Sequence, residues 1–158
     1  MKTTFPEPVE HRYFEDYLPG AVREFSGIAV EEAEIINFAL RFDPQSFHTD
    51  PNAARESVFG GLIASGWHTA GLMMRILVDQ YLSPVASLGS PGVDELRWLE
   101  PVRPGDLLSV RVTILETSRS RSKPDRGFVR SYVEVLNQRR QVVMSLKAMN
   151  FMKCRETA

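Results

Sequence analysis

Residues Gly61–Tyr81 read GLIASGWHTAGLMMRILVDQY, and apolar side chains fall on almost every face of the helix that this stretch predicts. A helix that is apolar all round is buried, because it has no face suited to water. Ser65 and Gly66 can serve as its cap and first turn. A helix over about residues 66–81 would be roughly 24 Å long, which is enough to cross a small sheet. The sequence therefore predicts a long central helix in the core.

After this helix, the sequence changes from a helical period to a period of two. Apolar residues alternate with polar ones, as is typical of long strands with one dry face. Polar hairpins at residues 118–127 and 136–141 join consecutive strands, and consecutive hairpins make an antiparallel sheet. The pattern indicates an α+β fold in which the sheet wraps the helix. The predicted strands are Val93–Leu99, Leu108–Ile114, Val129–Val135 and Val142–Ala148.

The residues before the central helix predict an arm, a strand, a helix and a loop. Residues 1–20 are polar and carry four aromatic side chains, which suggests an arm pinned by its rings and ending in a Pro-Gly turn. With 158 residues, the whole chain 1–158 is about one domain. The predicted elements are a strand over Val22–Ile28, a helix over Glu31–Phe42, and a loop over Asp43–Gly60 with one short turn at Asn52–Arg55.

The composition excludes several classes of protein. The chain has 19 basic and 20 acidic residues, so it lacks the basic field that drives binding to a phosphate backbone, and nucleic acid is not an expected partner. Cys154 is the single cysteine, which rules out an internal disulfide and fits a reducing compartment. Residues 1–8 contain no apolar run, and no apolar stretch is long and unbroken enough to span a membrane. We expect a soluble, cytoplasmic protein.

Asp43 and His48 place a carboxylate and an imidazole five residues apart in the proline-bearing loop. A neighbouring carboxylate can set which imidazole nitrogen holds the proton, so the pair could activate a water molecule. The spacing alone also allows Asp43 to cap a turn and His48 to be an ordinary loop histidine. Asp50 lies closer to His48 in sequence and could be its partner or a helix cap instead.

Gly66 begins the buried helix, so unpaired backbone N–H groups and the positive end of the helix dipole would face whatever lies in front of it. That arrangement suits a developing oxyanion, although the glycine could also serve close packing alone. His68 has no histidine or carboxylate three or four positions later, which argues against a metal site. The chain has no Gly-x-Ser-x-Gly elbow and no Gly-x-Gly-x-x-Gly loop, so neither a serine nucleophile nor a nicotinamide cofactor is expected.

Three separated segments together resemble the MaoC-like dehydratases, which are hot-dog-fold relatives of the (R)-specific enoyl-CoA hydratases. The segments are DPQSFH (residues 43–48), GGLIASGWHTA (residues 60–70) and ELRWLEPVRPGD (residues 95–106), and the resemblance extends over about residues 10–153. It implies a hot-dog fold that forms a homodimer or a higher homo-oligomer, with two sheets paired edge to edge and an acyl thioester held at the interface.

The resemblance also implies an activity and a site. The family's hydratase pattern is Asp-x-Asn-Pro-x-His, and Asp43 and His48 match its acid and its histidine, with Gln45 and Ser46 in place of Asn and Pro. These two residues would activate the water that adds to a 2-enoyl-CoA, and Gly66 would donate its N–H to the thioester oxygen. The reaction is that of a hydro-lyase and needs no cofactor. We expect substrate contacts from Phe47, Ser65, Trp67 and His68, where Ser65 replaces a histidine that often precedes the glycine.

Two other functions remain open from the sequence. The same fold supports a thioesterase, in which a carboxylate helps water to attack the thioester carbonyl. A non-catalytic acyl-CoA-binding subunit is the third hypothesis, because the loop departs from the family's pattern at Gln45 and Ser46. The carrier could be CoA or an acyl carrier protein. Arg97, Arg103 and Arg126 are unranked candidates for phosphate contacts.

Overall fold

A computed structural model describes residues 5–156 of the chain. Two short 3₁₀ turns, Val9–His11 and Phe14–Asp16, precede the regular elements. The helices are α1 (Glu32–Phe42), α2 (Ser46–Thr49), α3 (Pro51–Arg55) and α4 (Gly66–Gln80). The strands are β1 (Val22–Ala29), β2 (Gly92–Trp98), β3 (Leu107–Arg119), β4 (Arg126–Leu136) and β5 (Val142–Lys153).

The five strands form one antiparallel sheet in the order β1-β3-β4-β5-β2. Its concave face covers α4, because alternate residues of the long strands are apolar and point to that side. Val110, Val112, Val133 and Val135 are almost completely buried there with Ile76 of α4. Each such side chain contributes about 1.5–3 kcal/mol by leaving water. The α+β, hot-dog prediction is confirmed.

The loop predicted between Asp43 and Gly60 is more ordered than its sequence indicated. It contains α2, which was not predicted, and α3, which occupies the predicted turn. Asp50 caps α3, since its carboxylate accepts hydrogen bonds from the N–H groups of Asn52 and Ala53. Because Asp50 is used in this way, the alternative that it partners His48 does not hold.

The amino-terminal arm is pinned by aromatic rings, as its sequence predicted. Phe5, Tyr17 and Tyr81 form a cluster with ring centroids 5.3 to 5.9 Å apart. Phe14 packs against the backbone of Gly127, where a Cβ atom would stand 2.4 Å from the ring, so only glycine fits at that position. Residues 1–4 of the predicted arm lie outside the described residues. Between residues 5 and 156, no helix is long and apolar enough to cross a membrane.

Candidate active site

His48 lies on α2 and is held by the segment that leads into α4. The ring is 5% exposed, and its Nδ1 atom is 2.7 Å from the backbone oxygen of Ile63. A carbonyl oxygen can only accept, so Nδ1 carries the hydrogen and Nε2 is the atom left for chemistry. The N–H of Ile63 donates to the carbonyl of Phe47 at 3.1 Å, which ties the same two segments together a second time. The imidazole therefore has a fixed tautomer and a fixed orientation.

Asp43 supplies the carboxylate that faces His48. Its Oδ2 atom is 3.3 Å from His48 Nε2 and accepts a hydrogen bond of 2.7 Å from the Ser65 hydroxyl. Its Oδ1 atom accepts one of 2.7 Å from the Gln45 side-chain amide. The Gln45 and Ser65 donors, followed by the nearby imidazole, hold the pKa of Asp43 below its ordinary value, while partial burial acts in the opposite direction. Asp43 is thus kept ionised beside the imidazole.

Gly66 is the first residue of α4, and its backbone faces the same cavity as His48. The first N–H groups of a helix have no partner within it, and the Ser65 side chain makes no capping hydrogen bond to them. The Trp98 indole lies against the Gly66 Cα, and its Nε1–H donates to the Gly66 carbonyl at 3.0 Å. A Cβ atom at this position would stand 2.3 Å from Trp98 Cε2, so the close approach requires glycine.

The cavity in front of these groups has a volume of about 390 Å³ and is mostly apolar. Such a lining suits a hydrocarbon chain, while the imidazole and the helix terminus supply the polar groups at one end. Among residues 5–156 no group of three or more histidine, cysteine, aspartate or glutamate side chains could hold a metal ion. Besides His48 and Gly66, the walls come from Phe47, Phe59, Ile63, Ala64, Thr69, residues 98–102 and Val143.

Comparison with known proteins assigns the family. Residues 16–137 match the family model described as MaoC like domain. The chain belongs to the MaoC-like dehydratase family. It resembles the crystal structure of the MaoC-like dehydratase from Rhodospirillum rubrum with a TM-score of 0.85 and 42% identity, covering 92% of this chain and 99% of that one.

Two curated relatives extend the comparison. Protein MaoC of Klebsiella aerogenes is 37% identical over 103 residues, which are 65% of this chain but only 30% of that protein. The 3-hydroxybutyryl-CoA dehydratase of Methylorubrum extorquens is 31% identical over 105 residues, or 66% of this chain and 64% of that protein. The chain therefore spans a third to two-thirds of the length of these relatives.

Within this MaoC-like chain, the residues predicted for the site separate into two groups. Phe47, His48 and Gly66 line the cavity, and Asp43 stands behind His48. Ser65, Trp67 and His68 do not line it. Direct contact between these last three residues and a substrate stays a prediction.

The three residues outside the cavity have other surroundings. The Ser65 hydroxyl is used by Asp43. Trp67 is 60% exposed and meets the Trp98 ring edge to face. His68 is buried and stacked on Phe38 of α1 with ring centroids 5.0 Å apart, and burial lowers its pKa.

Two contributors were missed from the sequence. The Ile63 carbonyl, which fixes the His48 tautomer, is a backbone group and leaves no mark on the residue pattern. Gln45 was noted only as a departure from the family's Asn, yet it donates to Asp43. The sequence could have indicated this role, because glutamine carries the same side-chain amide donor as the asparagine that it replaces.

The arginines considered for phosphate contacts also differ in their surroundings. Arg103 donates to the Phe59 carbonyl at 2.6 Å and so holds the loop at the cavity wall. Arg126 pairs with Asp125 at the β3–β4 hairpin. Arg97 is exposed on β2, beside the cavity residue Trp98, and bonds only to its own neighbouring carbonyl among the contacts described for residues 5–156.

Proposed function

We propose that this MaoC-like protein is a hydro-lyase that reversibly adds water to a 2-enoyl thioester and forms the 3-hydroxyacyl thioester. The observation that carries the proposal is that His48, whose Nε2 atom is 3.3 Å from Asp43 Oδ2, lines the same cavity as Gly66, the first residue of α4. The likeness to a 3-hydroxybutyryl-CoA dehydratase supports the same reaction class.

The proposed nucleophile is a water molecule held by Asp43 and His48. Since Nδ1 donates to Ile63, Nε2 offers a lone pair, and the ionised Asp43 offers a second acceptor beside it. A water molecule can donate one hydrogen to each, and its oxygen is then directed at the substrate. In the forward step Nε2 takes a proton while the water oxygen bonds to C3 of the enoyl group.

Gly66 is proposed to stabilise the charge that this attack creates. As the new bond forms at C3, the double-bond electrons move toward the thioester oxygen, which gains negative charge. An N–H donor at the positive end of the α4 dipole stabilises that oxygen. A proton then returns to C2, and dehydration follows the same path in reverse. No step requires a cofactor.

The carrier of the acyl group is proposed to be CoA or an acyl carrier protein.

The active form is proposed to be a homodimer. β2 is at one edge of the sheet, and apolar side chains lie exposed on it and on α4. An exposed apolar edge of this kind needs a cover, and a second copy paired edge to edge supplies one. Light scattering in solution should give a mass of at least twice 17.9 kDa. A monomer would remove this part of the proposal. The exposed side chains are Trp67, Met74, Val78, Val93 and Trp98.

The proposed reaction is tested by the hydration of crotonyl-CoA, which is monitored as the loss of the enoyl absorbance. Asp43→Asn and His48→Ala should each lower kcat by about 100- to 10,000-fold, because each removes one of the two groups that hold and activate the water molecule. Circular dichroism and melting temperature serve as controls for folding. Turnover near that of the wild type in either variant would contradict the proposal.

Product analysis separates the other two functions in the same experiment. Free CoA, detected with a thiol reagent, would indicate a thioesterase instead of a hydratase. Tight binding of the acyl-CoA without turnover, with activity restored by a second protein, would indicate a binding subunit. A 3-hydroxyacyl-CoA product without free thiol is the expected result.

A further inference from the structure

The Ser65 hydroxyl is turned away from the helix that Ser65 precedes. A serine at this position usually accepts a hydrogen bond from the N–H groups of the first turn. Here it makes no capping bond, and it donates to Asp43 Oδ2 at 2.7 Å instead. The Ser65 residue is 0% exposed, so water cannot take the place of this hydroxyl.

We propose that Ser65 is a positioning residue that orients the Asp43 carboxylate toward His48 and fixes its distance from the Gly66 amide. This inference rests on the proposed function, because it assigns Ser65 to the same reaction. It differs from the sequence-based expectation of a direct substrate contact, since the hydroxyl acts through Asp43.

The geometry gives Ser65 control over the reacting oxygen. Oδ2 is the oxygen that both Ser65 and His48 contact, at 2.7 and 3.3 Å. Gln45 holds the opposite oxygen, so the carboxylate is fixed at both ends and cannot rotate about its Cβ–Cγ bond without losing a donor. Gln45 is exposed, and water can replace its amide. The buried Ser65 hydroxyl has no such substitute.

Ser65 also joins the two halves of the site through the chain itself. Its side chain holds the base, and its peptide bond carries the N–H of Gly66, the proposed oxyanion donor. The separation between the nucleophile and the electron acceptor is then set by one residue. A shift of either half is transmitted to the other, which explains why a fully buried serine stands between the core and the cavity.

The effect on ionisation follows from the same contact. The described neighbours of the Asp43 carboxylate are the neutral Gln45 on its own loop, the neutral Ser65 before α4, and the titratable His48 on α2. A donor to a carboxylate favours its ionised form, and Ser65 is the second largest cause of the lowered pKa of Asp43. Loss of the hydroxyl should therefore raise that pKa.

The experiment compares Ser65→Ala and Ser65→Cys with the wild type in the hydration assay. Cysteine keeps a side chain of similar size, but its thiol is a weak donor. Both variants should lower kcat about ten- to hundredfold, as expected for a hydrogen bond to a charged group, with little change in KM. The pKa of Asp43 should rise in both variants, because both lose a good donor to the carboxylate. Wild-type kcat and an unchanged pKa of Asp43 in Ser65→Cys would show a packing role and overturn the proposal.

The matched control is Ser131→Ala, which also removes a buried serine hydroxyl. Ser131 is 1% exposed and bonds to the Tyr81 hydroxyl at 3.1 Å, at the carboxyl-terminal end of α4. It should lower the melting temperature without changing kcat or the pKa of Asp43. A fall in kcat equal to that of Ser65→Ala would contradict a specific role for Ser65.

A second measurement separates failure of this proposal from failure of the proposed function. Carbon-13 NMR of the Asp43 carboxyl group reports its pKa directly and needs no substrate. A higher pKa in Ser65→Ala than in the wild type supports the positioning role even if no enoyl thioester is hydrated. An unchanged pKa overturns it even if Asp43→Asn and His48→Ala abolish hydration.

Discussion

The two ends of α4 are finished in opposite ways. At the carboxyl-terminal end, Arg12 donates to the Gln80 carbonyl at 2.6 Å, and the Tyr17 hydroxyl donates to the Tyr81 carbonyl at 2.6 Å. At the amino-terminal end, no side chain caps the helix, and Gly66 faces a cavity. Helix ends carry unpaired backbone groups that need partners. One end of α4 obtains them from side chains of the protein, and the other end faces the cavity.

This contrast predicts which residues should affect the stability of the fold and which should affect turnover. The carboxyl-terminal end is surrounded by Phe5, Tyr17, Phe25 and Tyr81, and a side chain there has no route to a substrate. Substitutions at that end should destabilise the fold and spare turnover. Substitutions at the amino-terminal end should do the reverse.

Between the two ends of α4, the largest effect is expected from Gly66→Ala. The added methyl group would stand 2.3 Å from Trp98 Cε2, so the start of the helix or the indole must move. The Gly66 N–H would then no longer point in its original direction. Loss of one oxyanion donor lowers kcat by about 100- to 1,000-fold. Steady-state hydration kinetics measure the loss, and the overpacking, which costs about 1–3 kcal/mol, should lower the melting temperature without unfolding the protein.

The control for this variant is Gly71→Ala on the same helix, where an added Cβ meets nothing within 4 Å. Its activity should be retained, and alanine should stabilise the helix by about 0.5–1 kcal/mol relative to glycine. Equal losses of activity in the two variants would mean that the amino-terminal end is not special.

Arg12→Ala should give the largest loss of stability at the opposite end. Arg12 is 8% exposed, its guanidinium lies 3.9 Å from the Phe5 ring centroid, and its removal takes away the side-chain donor to the Gln80 carbonyl. We expect a loss of about 2 kcal/mol in the free energy of unfolding, measured in urea, with kcat unchanged. A selective fall in kcat would break the comparison.

Arg75→Ala is the matched arginine control. Arg75 pairs with Asp79 at 3.0 Å on the exposed surface of α4, one turn apart. Exposed pairs of this kind contribute little, so its free energy of unfolding should change by less than about 0.5 kcal/mol. A loss as large as that of Arg12→Ala would mean that burial at the helix end is not the cause.

A smaller effect than that of Arg12→Ala concerns Tyr17 at high pH. Burial raises the pKa of Tyr17 to about 12, so the folded protein keeps the phenol neutral while the unfolded chain ionises it near pH 10. The unfolded state then binds fewer protons, and the stability contributed by the neutral phenol is lost as the pH rises above about 10. Between about pH 8 and 11 the unfolding free energy of Tyr17→Phe should fall by about 1 kcal/mol less than that of the wild type. Parallel curves for the two proteins would contradict the assigned burial.

The sequence predicted those parts of the molecule that depend on local patterns. The period-two strands and the apolar helix over residues 66–81 correspond to β3, β4, β5 and α4 within a few residues at their ends. The pairing of Asp43 with His48 followed from spacing together with a family resemblance. These features depend on residues close in sequence or on a periodic pattern of apolar residues, and both can be recognised in a single sequence.

What the sequence did not predict depends on contacts between distant segments. The four-residue α2 lacks a periodic pattern of its own and is held by the segment before α4. The sequence predicted that Ser65 caps α4, but its hydroxyl donates instead to Asp43, which lies 22 positions away. The packing of Trp98 on the Gly66 backbone likewise depends on how β2 lies against α4.

The double connection between α2 and Ile63 has a consequence for chimeras of related proteins. The Phe47 and Ile63 backbones are hydrogen-bonded to one another, and the Ile63 carbonyl also holds the His48 ring. A recombination crossover between positions 48 and 63 would join an imidazole from one parent to a carbonyl from another. Exchanging residues 43–66 as one uninterrupted block keeps the His48 imidazole and the Ile63 carbonyl from the same parent. That block is the smallest segment that carries the proposed catalytic groups together.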